Sequence, residues 1–284
     1  MKAAVLSLEG KKVSEIELPK QFSAKIDRQL IKRAVLAMHS AGIQAKGGYV
    51  LAGRDNTAKY VGARGKPQQH RTINVEHARK PRLRNRRALL YGQVAGIPAV
   101  VGGPKAHPPK TEKIWREKIN RKEREKAIAS AIAATAKAEF VKGRGHILPD
   151  KILLPIVLES GFEKLSKTRE VKSVLEKLGL WEDVERVHAK KKTRAGKGKK
   201  RGRRIKRGKS ILFVVSGKST ALMAARNIEG VEVVDAKSIN AHLLAPGAEP
   251  ARLTVWTEAA INSMKEPAHE KKAAKEKIAA KAVA

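Results

Sequence analysis

Apolar positions in this chain recur with two different periods, one after the other. Ala3–Leu8 and Val13–Leu18 are short apolar-containing runs on either side of Glu9-Gly10-Lys11-Lys12, which predicts two strands around a turn. From Asp27 the period lengthens. Leu30, Ala34, Ala37 and Met38 share one face of a predicted helix that Asp27 caps and that runs through Ser40. Thr111 is placed to cap a second helix reaching about Val141. Its first half, Glu112–Lys126, alternates acids with lysines, as i,i+4 pairing along a solvated face would require. Its second half, 127–136, is small and apolar and suits close packing on a sheet.

The alternation continues toward the C-terminus. Residues 151–158 contain a strand interrupted by Pro155. Thr168–Leu178 carries Val171, Val174, Leu175 and Leu178 at helical spacing, and Gly179 ends it. Trp181–His188 reads as a short helix. Strand Ile211–Val215, helix Thr220–Asn227, strand Val231–Val234, helix Ser238–Leu244, strand Leu253–Trp256 and helix Thr257–Met264 follow. Strands alternating with helices of this length predict an α/β fold, a single globular domain whose mainly parallel sheet is flanked by helices. Residues 1–44 and 111–267 form this body, and 268–284 is a Lys/Ala-rich tail that reads as a frayed helix or disordered. No internal repeat is evident.

Two segments do not fit the alternation, and charge explains why. The chain has 62 Lys+Arg against 27 Asp+Glu in 284 residues, a net charge of +35. Residues 45–110 hold 14 cations and 2 acids, and 190–209 hold 13 cations and no acid, so 25 of the 35 net charges sit in these 86 residues. An enzyme gains nothing obvious from such self-repulsion, whereas a polyanion neutralises it. Apolar content of 42% argues against wholesale disorder. The absence of cysteine excludes disulfides, thiolate metal sites and cysteine nucleophiles. No apolar run approaches the roughly 18 residues of a membrane span, and Glu9 comes too soon for a signal sequence. The expectation is a soluble, cytosolic protein with no membrane partner.

Residues 45–110 are rich in Gly and Pro and resist assignment to regular structure. Connections beyond about 12–15 residues are usually functional or disordered. The reading is an extended arm that orders against RNA, its guanidinium groups forking onto phosphates and stacking on unpaired bases. A plain linker needs neither so much arginine nor the interleaved Tyr49, Tyr60, Leu83, Leu89, Leu90 and Tyr91. Lys190–Lys209 is too repulsive to fold alone and is expected to order on a polyanion as a loop leading into strand Ile211–Val215.

Catalytic signals are weak. Ser216-Gly217-Lys218-Ser219-Thr220 carries the second half of a phosphate-binding loop, but Leu212 stands where the first glycine belongs, so a tight strand–helix turn is the better reading. Gly196-Lys197-Gly198 lacks a third glycine. The eight histidines are scattered, and Ser160 lacks the glycines of a nucleophile elbow. No catalytic residue, metal site or cofactor is expected. Two other classes stay open on these grounds: an RNA-modifying or nucleolytic enzyme, and a nucleoid or chromatin binder that prefers duplex DNA.

One pattern is more specific. Asn120, Arg124, Ala127-Ile128, Ser130-Ala131-Ile132, Ala134-Thr135-Ala136 and Arg144-Gly145-His146 match position by position the signature of the archaeal and eukaryotic branch of the large-subunit ribosomal protein four family. Ala106–Lys113, Arg194–Gly198, Ser210–Val214, Leu244–Gly247 and Arg252–Val255 also resemble it, and the resemblance spans about residues 1–265. It implies a structural constituent of the large ribosomal subunit in the cytoplasm. It also implies an outer α/β body, and a loop that threads through large-subunit rRNA to the peptide exit tunnel beside a protein of the L twenty-two family and the nascent peptide. On that reading the rRNA-binding residues are Lys46, Arg54, Lys59, Arg64, Lys66, Arg71, Lys105 and Lys110 in the loop, and Asn120, Arg121, Lys122 and Arg124 on the charged helix end. The basic segment adds Arg194, Lys197, Lys199, Lys200, Arg201, Arg203, Arg204, Lys206 and Arg207. The tunnel candidates are Arg79, Lys80, Arg82, Arg84, Arg86 and Arg87.

Overall fold

A computed structural model describes residues 1–85, 89–149 and 152–265. The chain divides into two compact units, one made of Met1–Ala41 with the chain from Glu117 onward, the other of Gly42–Arg116.

The first unit is built on a six-stranded sheet. Strands β1 (Lys2–Leu6) and β2 (Lys12–Glu17) form the expected antiparallel hairpin, with the Gly10 turn at φ +83. Helices α1 (Arg28–Ala41), α2 (Arg121–Thr135) and α3 (Ala138–Gly143) precede β3 (Ile156–Leu158). Helices α4 (Thr168–Lys177) and α5 (Trp181–Ala189) lead into a small hairpin of β4 (Lys192–Thr193) and β5 (Ile205–Lys206). Then come β6 (Leu212–Val215), α6 (Ala221–Arg226), β7 (Glu232–Asp235), α7 (Ala241–Leu244), β8 (Thr254–Thr257) and α8 (Glu258–Lys265). The sheet order is β2-β1-β3-β8-β6-β7, and every neighbouring pair except β1/β2 is parallel. The fold is α/β with a mainly parallel sheet.

Both faces of the central strands are covered, which explains why their sequences read as unbroken apolar runs. Successive side chains point to opposite faces. On one side Ile156, Leu158, Phe213 and Val255 meet Val171, Leu175 and Ala221 of α4 and α6. On the other, Val157, Leu212, Val214 and Trp256 meet Ile31, Val35, Ala131, Leu244 and Ile261. Phe162 stacks on Phe213 at 4.7 Å on the first face, and Phe22 meets Trp256 edge-on at 5.1 Å on the second. In α2 the stretch from Ala127 through Thr135 is largely buried, so its small residues serve packing, as expected.

Several boundaries moved, each for a tertiary reason. The second long helix starts at Arg121 and not after Thr111, and it ends at Thr135 with α3 as a separate piece. Residues 111–120 contain no helix. There the Glu117 N–H donates to Ser40 Oγ at 3.0 Å, and the cap is Asn120, whose N–H donates to Glu123 Oε2 at 3.3 Å. The expected acid–lysine ladder over 112–126 therefore reduces to Arg121–Glu125 at 2.9 Å within the helix, while Glu123 pairs with Arg33 of α1 at 3.1 Å. The α1 cap holds: Gln29 and Leu30 N–H donate to Asp27 Oδ1 at 2.9 and 3.0 Å. Its buried stripe is centred on Ile31, Ala34 and Val35, with Leu30 and Met38 only half-buried at its edges. Strand β3 begins after Pro155, which lacks the N–H a ladder needs. The tail 268–284, with Arg86 and Arg87, lies outside the described residues.

Candidate nucleic-acid interface

The Gly42–Arg116 unit has little regular structure, but its backbone is stitched together. Lys59 and Arg82 exchange N–H···O bonds of 3.0 and 3.2 Å, Leu83 N–H donates to Gln93 O at 2.9 Å, and Thr72 N–H donates to Val61 O at 2.9 Å. Two glycines permit the closest crossings. A Cβ on Gly103 would lie 2.0 Å from Ile97 O, and one on Gly53 (φ +76) would lie 2.4 Å from Pro104 N. The segment is thus framed by its own hydrogen bonds, where the sequence reading had only an extended arm.

That frame uses three arginines expected on RNA. Arg82 donates to Gly92 O at 2.7 Å and Ala78 O at 3.2 Å. Arg84 donates to the carbonyls of Gln69 and His70 at 2.8 and 3.1 Å, and Arg71 to Arg64 O at 3.2 Å. All three are half-buried and organise the unit's own backbone. Lys46, Arg54, Lys59, Arg64, Lys66, Arg79, Lys80, Lys105 and Lys110 are exposed. Within the same unit Lys46 and Lys113 lie over the Trp115 ring at 5.5 and 4.4 Å, a cation–aromatic cluster that sequence inspection missed because Lys46 is distant in the chain from the other two.

The basic run 190–209 was expected to stay unordered without a polyanion. Instead it closes on itself: Lys192 pairs Lys206, Thr193 pairs Ile205, Arg194 N–H donates to Arg204 O at 2.7 Å, and a 3-10 turn occupies Lys197–Arg201. Gly202, at φ +78, lets the chain reverse after that turn. Backbone pairing faces inward while Lys197, Lys199, Lys200, Arg201, Arg203, Arg204, Lys206 and Arg207 stay exposed; Arg194 is half-buried, its Nε on Arg203 O at 3.1 Å. Among the described residues, no carboxylate lies within 4.0 Å of any Lys or Arg in 45–110 or 192–207. On α2, Asn120, Arg121, Lys122 and Arg124 are also exposed.

Behind the hairpin lies a buried polar cluster. Asp183 of α5 accepts from Ser210 Oγ at 2.6 Å, Arg186 Nε at 2.9 Å, Ile147 N–H at 3.1 Å and His146 Nδ1 at 3.1 Å. Burial pushes the Asp183 carboxyl up, but its hydrogen bonds from His146, Arg186 and Ser210 outweigh that, and it sits well below the ordinary carboxylate range. Burial pushes His146 down despite the neighbouring carboxylate, so the imidazole is neutral and its Nδ1–H donates. Both groups hold fewer protons folded than unfolded. The cluster's full contribution is therefore present above about pH 6.5, the ordinary histidine value, and is lost as pH falls, more steeply below about pH 4 where an unfolded aspartate protonates. Urea midpoints measured from pH 7.5 to 3.5 should fall monotonically, and more so for the native chain than for His146→Gln. A flat native profile would contradict the assignment.

The Ser216–Thr220 turn connects β6 to α6 and is anchored at both ends by Glu163. Ser216 N–H and Oγ donate to the Glu163 carboxylate at 2.8 and 2.7 Å, and Thr220 Oγ1 donates to Glu163 O at 3.1 Å. Ser216 and Thr220 are thus tied to Glu163, whose carboxylate would repel a phosphate at this turn. Among the described residues no group of three His, Asp or Glu side chains is placed to hold a metal ion, and no helix is long and apolar enough to cross a membrane.

A further set of cations was not singled out from the sequence for binding. Arg28, Arg144, Arg186 and Lys209 line a cleft of about 790 Å³ in the first unit, together with Lys206 and Arg207 from the end of the hairpin. Arg144 belongs to the Arg144-Gly145-His146 signature and Lys209 ends the basic run 190–209, whereas Arg28 and Arg186 carry no sequence signal that marks them, because only the fold brings them together.

Comparison with known proteins agrees with these features. The model of the ribosomal protein L4/L1 family matches residues 16–267. The large ribosomal subunit protein uL4 of Methanocaldococcus jannaschii is 47% identical over 266 residues, covering 94% of this chain and 99% of its own. The proteins of the same name from Methanospirillum hungatei and Methanopyrus kandleri are 46% and 43% identical, over 93% and 94% of this chain and 98% of theirs. A match over this much of the chain leaves one conclusion: the chain belongs to the ribosomal protein L4/L1 family.

Proposed function

We propose that this chain binds large-subunit rRNA through the exposed cations of 45–110 and of the 190–209 hairpin, and that its loop helps form the polypeptide exit tunnel. As a member of its family the chain is a structural constituent of the large ribosomal subunit in the cytoplasm, and not an enzyme. The observation that carries the binding reading is the concentration of 25 of 35 net charges in two segments where, among the described residues, only Lys191 and Lys209 have a carboxylate partner. Such cations repel one another until phosphates neutralise them, and the released counterions drive association. The division of labour follows from the geometry. Arg71, Arg82 and Arg84 hold the loop's shape, while exposed residues such as Arg64, Arg79 and Lys80 reach phosphate. The stretch containing Arg79 and Lys80 would lie near the tunnel, where a nascent peptide passes and a protein of the L twenty-two family neighbours the loop.

Sedimentation through high-salt sucrose gradients tests the reading first. Retention on large subunits is expected, while release to the top fractions would mean peripheral binding. Replacing Lys199, Lys200, Arg201, Arg203 and Arg204 with Gln should lower the slope of log affinity against log salt for rRNA by up to roughly 3.5–4.5, at about 0.7–0.9 per lost phosphate contact. An unchanged slope would show that the hairpin tip stays in solvent, and preference for duplex DNA over folded rRNA would move the protein to the chromatin class.

A further inference from the structure

The cleft beside the hairpin is a second, independent concentration of cations, and it lies in the α/β unit. Its walls come from five separate stretches of chain: the start of α1 (Arg28), the end of α3 (Phe140, Arg144), α5 (Arg186), the strand leaving the hairpin (Lys206, Arg207, Lys209) and the turn at 246–250. Two carboxylates, Glu139 and Glu249, also line it, so cations dominate.

We propose that this cleft is a phosphodiester site, clasping the backbone of a bent RNA segment so that the body grips RNA separately from the 42–116 unit. The proposal rests on the rRNA-binding reading above and adds Arg28, Arg144 and Arg186 to the residues that reading uses.

Three features of the cleft support an RNA occupant. First, four of its six cations are not neutralised, while Arg186 pairs with Asp183 and Lys209 with Glu232. Arg144 donates to the carbonyls of Pro246 and Glu249, presented by a turn in which Gly247 takes φ +78. Burial, then the nearby Arg252 charge, brings the Arg144 pKa down to about 10. This guanidinium is fixed in place and short of an anion, and a phosphate would relieve both penalties. Among the described residues, no carboxylate lies within 4.0 Å of Arg28, Arg144, Lys206 or Arg207.

Second, the walls are not only charged. The Arg28 guanidinium lies 5.0 Å over the Phe140 ring, and Pro246 and Pro250 complete an apolar side. A guanidinium paired with an aromatic ring forms a surface on which a base can stack, which suits a nucleotide better than a carboxylate side chain. Third, at about 790 Å³ the space exceeds a lone phosphate and admits a nucleotide-sized segment. Lys206 and Arg207 make the cleft continuous with the hairpin, so one RNA strand can run along both.

The test uses the full chain and a large-subunit rRNA transcript. Arg28→Gln/Arg207→Gln removes one exposed cation from each side of the cleft, and Lys11→Gln/Lys218→Gln removes two exposed cations outside it. The cleft pair should lower the salt slope by roughly 1.4–1.8 and weaken binding about tenfold at moderate salt, well beyond the control pair. Ultraviolet cross-linking of the native chain should attach RNA to the peptide containing Phe140. Arg28→Glu alone supplies a second variant, at an exposed position that the hairpin reading does not use, with thermal melts confirming the fold. Equal slopes for the cleft and control pairs, with no cross-link at Phe140, would overturn the proposal while leaving rRNA binding elsewhere intact. So would cleft variants that lose polyglutamate binding but keep the native rRNA slope, since the occupant would then be an acidic protein segment. A native chain that fails to bind rRNA at all would overturn both this site and the reading beneath it.

Discussion

Replacing residues 45–110 with a short Gly-Ser linker is expected to leave a body that unfolds cooperatively, with its melting temperature within a few degrees of the native chain, and to abolish most rRNA affinity. The body tolerates the excision because the chain leaves and returns at neighbouring points: Glu117 N–H donates to Ser40 Oγ at 3.0 Å. Shortening a connection also lowers its closure entropy, so nothing in the core is penalised. The affinity falls because the excised segment carries 14 cations against 2 acids. If half of those cations meet phosphates, the salt slope should drop by roughly 5–6. Thermal melts and filter binding at several salt concentrations read both outcomes. Loss of cooperative melting would make the segment part of the body's core, and an unchanged slope would leave its cations in solvent.

Asp183→Ala should destabilise the body by about 3–5 kcal/mol, the range for breaking a buried, paired charge. Asp183 is 0% exposed and accepts from four donors on three parts of the chain: Arg186 beside it in α5, Ser210 before β6, and His146 with Ile147 after α3. Removing it leaves the Arg186 cation without its ion pair and deprives Ser210 and the Ile147 N–H of their acceptor. In a body of this size the melting temperature should fall by roughly 10 °C. The cleft should loosen too, since Arg186 and the end of α3 both line it, so salt-dependent rRNA binding measured below the melting point should weaken as well. A loss under about 1 kcal/mol would mean that water replaces the carboxylate and that the cluster does not hold the hairpin's base.

The two basic segments differ in how far their behaviour could be read from residue order. For 190–209, a dense run of like charges predicts repulsion, and that holds for the side chains. What it does not predict is that Gly202 and the pairing of Lys192 with Lys206 let the backbone close while nearly all the cations stay exposed. For 45–110, arginine content alone marks a nucleic-acid surface. It does not separate Arg79, which is exposed, from Arg82 and Arg84, which spend their guanidinium groups on the carbonyls of Gly92, Ala78, Gln69 and His70. That distinction depends on which carbonyls the folded backbone leaves open. The start of α2 is similar. Thr111 and Asn120 are both competent caps by residue type, and the bond between Glu117 and Ser40, 77 positions apart, goes with the second.

Residue order alone determined the alternation of strands and helices, the parallel sheet, the packing role of the small residues at 127–136, the family, and the two places where charge accumulates. Each of these is a local property, carried by period, residue size or the sum of charges over a few dozen positions. Tertiary structure decided the order β2-β1-β3-β8-β6-β7, the division of arginines between frame and surface, and the cleft that gathers Arg28, Arg144, Arg186 and Arg207 from four distant stretches. The reason is physical: burial, hydrogen-bond partners and electrostatic neighbours are set by distances in space, and a charge is neutralised or left available by what the fold brings within a few ångströms of it.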